Sequence, residues 1–499
     1  GQTRFSDSAG RRVAQSTAQS TAQLRQTGAV WQGSFHDLRA EDTLAWLTPW
    51  LGEPAQRWLI PLDLRGTLPE IAVQVDPVAG TFAVTAQMHE LVSQPGRGLP
   101  GLTGVTGTLA LSLAGGRLEL DSRQLKIDTA GRLRAPVTLD KLKGVLNWQH
   151  SAQGWTLDSP GIELVNPDLN GRFSGGVTIP DAGEPSLDLR GQYQVQLGAV
   201  RRYLPLTAIP PGGLAWLDRA LVSGRVTAGD FTLRGRPGRF PFDHDEGLFE
   251  TRFQVQDAVL DYMPGWPRLE QVRAVVTFRN RTLQVDASAG RILDAGIERI
   301  TARIGDLAES VVQVKGRAKG PSASLWRAFQ NSPAARDLSE DLPSPRWAGT
   351  SSLDLELSIP LDPRPNRVRG RVGLLDNSLT LPAWNLALGR LRGEVRFTES
   401  GLEAKDLRAV LRGEPIRLDL NLAGREGRRE LQTRLRGRLG MHTLLGGPAA
   451  ALEPYLNGKS HWEALLTIPT GRRDRRDTAP SFALEMNSDL RGMAVQLPE

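Results

Sequence analysis

The sequence predicts a mainly β protein: an elongated, continuous, curved antiparallel β-sheet forming a hydrophobic groove, with a few short helices. Three observations predict it. Apolar and polar residues alternate with a period of two along much of the 499 residues, which puts one apolar and one polar row on each strand. The 53 Gly and 33 Pro, above the usual ~7% and ~5%, fall between these runs as turn and strand-end punctuation. A short pattern also recurs along the chain, the mark of a stacked architecture.

Taken in order, the first 28 residues carry a doubled Ser-Thr-Ala-Gln and read as a polar linker or a solvated helix. Thr43 to Leu51 is a short helix candidate. Strands follow at Ile71 to Val75, Leu109 to Leu113 and Leu118 to Leu120. Leu214, Leu217 and Leu221, spaced three and four apart after Pro210-Pro211-Gly212-Gly213, form a helical stripe that Gly224 ends. Phe231 to Leu233, Phe253 to Val255, Val276 to Phe278 and Leu283 to Val285 return to alternation. Ser322 and Ser324 are placed to cap a turn bearing Leu325, Trp326 and Phe329. Leu353, Leu355, Leu357 and Ile359 then alternate with Asp354, Glu356 and Ser358, as Leu418, Leu420 and Leu422 do with Arg417, Asp419 and Asn421. Leu431 to Leu439 is a further strand, and Met441 to Leu456 a proline-broken helix candidate. Turn signals such as Ala114-Gly115-Gly116, Arg279-Asn280-Arg281 and Glu399-Ser400-Gly401 separate the strands. The sections expected are residues 1–30 as linker or helix, 31–200, 201–320 and 321–440 as successive groove sections, and 441–499 as the start of another.

The recurring pattern is apolar, two residues, apolar, one residue, small, one residue, apolar, one residue, apolar. Its copies are Leu102/Val105/Gly107/Leu109/Leu111, Leu139/Leu142/Gly144/Leu146/Trp148, Leu269/Val272/Ala274/Val276/Phe278 and Leu388/Leu391/Gly393/Val395/Phe397. A strand ending in proline also repeats, at Leu355 to Pro360 and Ala464 to Pro469 and, loosely, at Ser174 to Pro180. A sheet with one apolar face has to cover it. Separate sandwiches would do so with linkers between them, and no Ser/Gly-rich or Pro-rich linker divides the repeats after residue 30. The alternative is one sheet whose curved walls face each other across a trough. Roughly 25 to 30 strands at ~4.8 Å would make it over ~100 Å long. Aliphatic walls without convergent polar groups suit acyl chains; the same rows also read as ordinary sandwich core.

Composition narrows the chemistry. With no Cys, disulfide scaffolds, thiolate metal sites and thiol catalysis are excluded. The charge is +6 from 61 basic and 55 acidic residues, a mixed-sign, Arg-rich surface that does not by itself indicate nucleic acid. The uncharged run Gly98 to Gly116 has the length of a membrane helix, but its Gly, Thr and Pro make a poor one. No signal peptide is visible, and a chain beginning at Gly1 and stopping at Leu497-Pro498-Glu499 reads as an excised piece. The six His form no metal-ligand spacing. Phe240-Pro241-Phe242-Asp243-His244-Asp245-Glu246-Gly247 gathers possible ligands but reads as a solvated hairpin turn. Gly96-Arg97-Gly98-Leu99-Pro100-Gly101 matches the dinucleotide fingerprint only formally, since Pro100 and a strand follow. Neither a nucleophile elbow nor a phosphate loop is present. Arg425, Arg428 and Arg429, and Arg472, Arg473, Arg475 and Arg476, read as solubilising loop tips or as phosphate contacts. Trp46, Trp50, Trp216 and Trp326 read as anchors. No catalytic residue, metal or cofactor is expected.

A set of landmarks carries a resemblance. Tyr203-Leu204-Pro205, Trp216 to Ala220 with Gly224, Phe240-Pro241-Phe242, Gly247-Leu248-Phe249 and Leu260-Asp261-Tyr262 with Trp266-Pro267 look like a central section of the AsmA-like family of bacterial envelope proteins, which includes TamB. Ser332-Pro333, Leu357 to Leu361, Leu490 to Met493 and Leu497-Pro498 are similar to later landmarks. The match is dense from about residue 100 and thin before it. The resemblance implies a periplasmic, non-enzymatic lipid-transfer conduit, anchored in the inner membrane by an N-terminal helix absent here. It would carry phospholipid from inner to outer membrane and support the outer-membrane barrier. The implied partners are phospholipid, both membranes through missing terminal regions, and other envelope proteins, with no nucleic acid; the piece itself is expected to be monomeric. The expected lining comprises Leu109, Leu111, Val276, Phe278, Leu353, Leu355, Leu357, Val395, Phe397, Leu418 and Leu420. A structural scaffold that binds envelope proteins and carries no lipid, and a binder of anionic polymers through the Arg loops, are the rivals.

Overall fold

A computed structural model describes residues 3–6, 12–16, 21–47, 60–96, 99–207, 209–244, 246–307, 311–330, 345–360, 364–425, 428–441, 443, 456–470 and 483–496. The protein is mainly β: 24 of the strands, from Thr21–Thr27 to Ala483–Ser488, are ordered in one antiparallel sheet that follows the chain. Two compact units are distinguishable, Gly1–Asp218 with Ser223–Val255 and Thr277–Asn280, and Arg219–Val222 with Gln256–Val276 and Arg281–Glu499. Within each, strands of 10 to 15 residues pair with their sequence neighbours through turns as short as two residues, as between Ser112 and Gly115 or Ile292 and Ala295. Among the described residues, the first and last strands within a unit do not pair, so neither unit is a closed barrel.

Every expected strand is found, and each is longer than its apolar alternation. Leu353 to Ile359 is the middle of Arg346–Pro360, and Val276 to Phe278 the end of Leu269–Arg279. Several strands also carry a β-bulge. Glu90, Gln124, Asp257, Gln271, Asp376, Arg390 and Asp406 all have φ between 51° and 64°, apart from Arg390 at 47°. Register shifts across four of these sites mark one extra residue in the strand, as between Met88 and Leu91 and between Ala404 and Leu407. The side chain after each positive-φ residue turns into the core: Leu91, Leu125, Ala258, Val272, Asn377, Leu391 and Leu407 are all buried, Leu125 and Leu407 to 1% exposure. A bulge bends its strand, and apolar residues from both arms then meet. In the second unit Leu374, Leu388, Leu391, Ala404, Leu407, Ala409, Leu411, Ile416, Leu418 and Leu439 form one cluster. In the first, Ala40, Leu68, Ile71, Ala86, Met88 and Leu91 do so.

Helices seal these bends. Ala40–Leu47 packs on Val30–Arg39 and Arg65–Asp76, and Glu41 accepts the Gly66 N–H at 3.2 Å. Ser322–Gln330 packs on Val311–Pro321 and Arg346–Pro360. Its serines do not cap it, contrary to expectation. Ser322 Oγ meets Gly349 O, Ser351 and Asn377, and Ser324 Oγ donates to Asp294, because the neighbouring strands supply better-placed partners than the helix's own N–H groups.

Three other expectations are corrected. Pro211–Ala220 is helical as foreseen, but it ends at Ala220; Leu221 begins the strand Leu221–Gly235, and Gly224, at φ 123°, lies inside that strand. The first 28 residues hold strands Thr3–Ser6, Arg12–Ser16 and Thr21–Thr27, where a linker or solvated helix was expected. Thr3–Ser6 pairs with Arg12–Ser16, and Thr21–Thr27 with Val30–Arg39, which supplies hydrogen bonds that the polar sequence by itself does not specify. The segment from Phe240 is not simply a solvated turn: Phe242 is 3% exposed and Phe240 meets Phe249 edge to face, although Asp243 and His244 face water. Trp50, Ser332-Pro333, Arg472, Arg473, Arg475, Arg476 and most of Met441 to Leu456 lie outside the described residues.

Candidate functional site

The alternation of each strand places its apolar side chains on one face, and register aligns them across strands. In the second unit Ala318, Leu353, Val372, Val395, Ala404, Leu420, Thr433, Leu466 and Leu484 stand opposite one another on nine strands adjacent in the sheet. A parallel row runs through Ile300, Gly316, Leu355, Gly370, Phe397, Leu402, Leu422, Leu431 and Ile468. Thr433 is the only hydroxyl in either row. The Phe397 ring lies flat over Gly370, where a Cβ would come within 2.1 Å of Cζ. Only glycine admits the ring there.

In the first unit, Leu24, Gly33, Val73, Val84, Leu111, Gly116, Trp148, Leu157, Val177 and Leu187 make the corresponding row. Leu109 lies beside it, opposite Ala86 and Leu118. The apolar face here becomes aromatic toward Leu221–Gly235. Phe173 contacts Phe231, and Phe231 contacts Phe249, edge to face at 6.3 and 5.7 Å. Tyr193 reaches Phe253, while its hydroxyl meets Thr251 Oγ1 at 2.6 Å and burial pushes its pKa up, so it stays neutral.

The structure puts the expected lining residues into two environments. Leu109, Leu111, Val276, Phe278, Leu353, Leu355, Leu357, Val395, Phe397 and Leu420 are all half-buried, with apolar surface still accessible. Leu418 is different: at 5% exposure, opposite Leu407 and Leu435, it belongs to the core cluster. Leu353, Val395 and Leu420 share one row, and Leu355 and Phe397 the other; Leu357 extends the face opposite Val314 and Val368. Sequence reasoning missed the row members Val372, Ala404, Leu402 and Leu466, which sit in strands whose alternation is short or broken by a bulge.

The opposite face carries charge. Asp354 accepts from Arg317 at 2.9 Å and lies 3.8 Å from Arg371; Arg436 bridges Asp419 at 3.2 Å and Glu463 at 3.6 Å. In the first unit Lys141 pairs with Glu163 and Lys143 with Asp121. These pairs are exposed and contribute little to stability, but they make the polar face one that prefers water. A depression of about 410 Å³ lies among Gln256, Asp257, Gln271, Arg273, Ala289 and Gly290. It is polar and contains none of the expected lining residues. Among the described residues no group of His, Asp and Glu is arranged to hold a metal ion, and no helix is long and apolar enough to cross a membrane.

The family model described as YhdP protein matches residues 9–499. The chain is 24% identical over 403 residues to the "Intermembrane phospholipid transporter YhdP" of Escherichia coli (strain K12), covering 80% of this chain and 31% of that protein. It thus spans about a third of the length of the curated relative it matches. No solved structure matches. The family match extends over nearly the whole chain, including the region before residue 100 where the landmarks are thin, and the chain belongs to the YhdP protein family.

Proposed function

We propose that this chain is a section of a phospholipid conduit in which acyl chains lie along the aliphatic rows while head groups remain in water. The observation that carries the reading is the row from Ala318 to Leu484, apolar on eight of nine strands, with Leu353, Val372, Val395, Leu420 and Leu466 half-buried, Ala318 and Ala404 buried and Leu484 exposed, backed by a charged opposite face. Eight strand spacings of ~4.8 Å give such a row a run of roughly 38 Å. Burying ten methylenes on it contributes roughly 8 kcal/mol before ordering costs, and this needs no directional hydrogen bond. A chain held only by dispersion and water exclusion slides at low cost, which suits transfer. It suits catalysis poorly, and we read the protein as non-enzymatic.

The relative's name supplies the cargo and the setting: phospholipid moved between membranes. On that reading the chain works in the periplasm, between an inner membrane that anchors the whole protein and an outer membrane whose integrity it supports. The groove sections 31–200, 201–320 and 321–440, with a further one opening in 441–499, are our proposal for its organisation. The half-buried candidates from Leu109 to Leu420 are proposed to line the path, with Leu418 beneath it as support.

Native mass spectrometry of the purified chain tests this. The expected spectrum contains phospholipid bound to the folded protein and lost on delipidation; a chain that is folded and lipid-free from the outset, after expression in a Gram-negative host, would exclude the conduit and favour a scaffold.

A further inference from the structure

We propose that the connection between Gly235 and Leu248 is a strap over the apolar face of the first unit, with Phe240 as a displaceable tip occupying a place where an acyl chain would lie. The inference rests on the reading of that face as acyl-binding. The connection is twelve residues long, against two between Ser151 and Gly154 or Arg279 and Thr282 and eight between Leu260 and Leu269. A length of that kind in a hairpin calls for a role beyond turning.

The register shows where the strap lands. The long apolar row of the first unit reaches Leu187, whose partner on the next strand is Gly235. At that position the row has no side chain, and the strap takes its place: a Cβ on Gly235 would stand 2.9 Å from Gly247 Cα, 3.0 Å from Glu246 O and 3.1 Å from Phe242 Cε1. A Cβ on Gly247 would stand 2.4 Å from Phe242 Cδ1, so both ends of the connection are glycine against one ring. Phe242 holds φ at 64°, a conformation that bulky residues rarely adopt, and is 3% exposed. It is the anchor.

Phe240 is the tip. Its ring meets Phe242 at 5.8 Å and Phe249 at 5.9 Å, both edge to face, and Phe249 in turn meets Phe231 and Phe278. Yet Phe240 is 44% exposed, so it covers the aromatic end of the face without being locked into it. The strap keeps its own shape through Phe240 N–H to Pro237 O at 3.1 Å and Phe242 N–H to Arg239 O at 2.8 Å. Phe240 can therefore swing without breaking the ladder. An incoming acyl chain would exchange apolar contact with Phe249 for apolar contact with Phe240, a nearly balanced trade. Such a balance lets the site be covered when empty and open when lipid arrives.

The test uses the whole chain with a benzophenone-bearing residue in place of Leu187 or, separately, Leu111, illuminated with phosphatidylethanolamine–phosphatidylglycerol vesicles. Labelling of lipid at position 111 reports the apolar face itself. Against that background F240A should raise labelling at position 187 by about fivefold, the scale of removing a half-buried ring from competition, and leave position 111 unchanged. F240L, which keeps an apolar cover, should stay near the wild-type value and guards against loss of fold. Labelling at 111 with no change at 187 in F240A overturns the strap. Absence of labelling at 111 in the otherwise unaltered chain overturns the acyl-binding reading, and the strap with it.

Discussion

Asn377 shows how much a single polar residue decides in this fold. It is fully buried at the bulge of Arg367–Leu381. Its Nδ2 faces Ser322 Oγ, Ser351 Oγ at 3.2 Å and Thr350 O at 3.1 Å, and its Oδ1 accepts the Leu375 N–H at 2.6 Å. One side chain thus ties the helix Ser322–Gln330 to two bent strands. Asn377→Ala would strand several buried donors and acceptors, so we expect a loss of about 2–4 kcal/mol in urea unfolding. A loss below ~1 kcal/mol would mean that water replaces the amide. The proposed lining residues should behave in the opposite way. Their surface is still partly wet, so a polar substitution there should spare the fold and be felt by a ligand.

At the scale of the element, the turn between Leu386–Thr398 and Leu402–Leu411 gives a pH prediction. Glu399 accepts the Val368 N–H at 3.0 Å, and backbone hydrogen bonds to Val368 and to its own N–H hold its pKa below the usual value of 4.5. A carboxylate with a depressed folded pKa stabilises above its unfolded pKa and loses that contribution as pH falls through the folded value. Glu399→Gln should therefore lower the melting temperature at pH 6–7, and the gap should narrow once pH falls below the usual carboxylate value of 4.5. A gap independent of pH would place the effect in packing instead. The same scale shows what was legible in the sequence. Alternation located strands such as Arg346–Pro360 and Glu414–Arg425 because a half-buried strand must alternate, but it did not find Thr21–Thr27, expected as linker or helix, or Ser186–Gln196 and Arg367–Leu381. The four-fold pattern held more than it revealed. Its two-residue gap is a bulge in three copies, at Gly104, Gln271 and Arg390, and in the fourth the positive φ falls on Gln124 of the neighbouring strand. A break in period two is the signal by which those bends could have been found. Helix ends were misplaced at Ala220 because a strand partner, absent from any local window, captured Leu221.

At the scale of the whole molecule, the proposed conduit makes its own demand. Leu355 and Phe397 stand in one row with Gly370 between them. Leu355→Asp with Phe397→Asp would place carboxylates on the proposed path, where dehydrating them is costly. We expect co-purified phospholipid to fall by about tenfold, equivalent to ~1.4 kcal/mol, with an unchanged circular dichroism spectrum. Lipid retained at the wild-type level with several such charges in place would refute the path. The sequence by itself determined the class of this protein: a β chain without thiols, with one apolar and one charged face per strand, because period and composition are local properties that each strand carries alone. Only the tertiary structure decided which apolar side chains remain partly open and which are core. Leu418 and Leu420 read alike in sequence, yet the first, buried, faces Leu407, swung inward by the bulge at Asp406, and the second, half-buried, faces Ala404. That difference is set by the register of the partner strand, and register is a property of pairs.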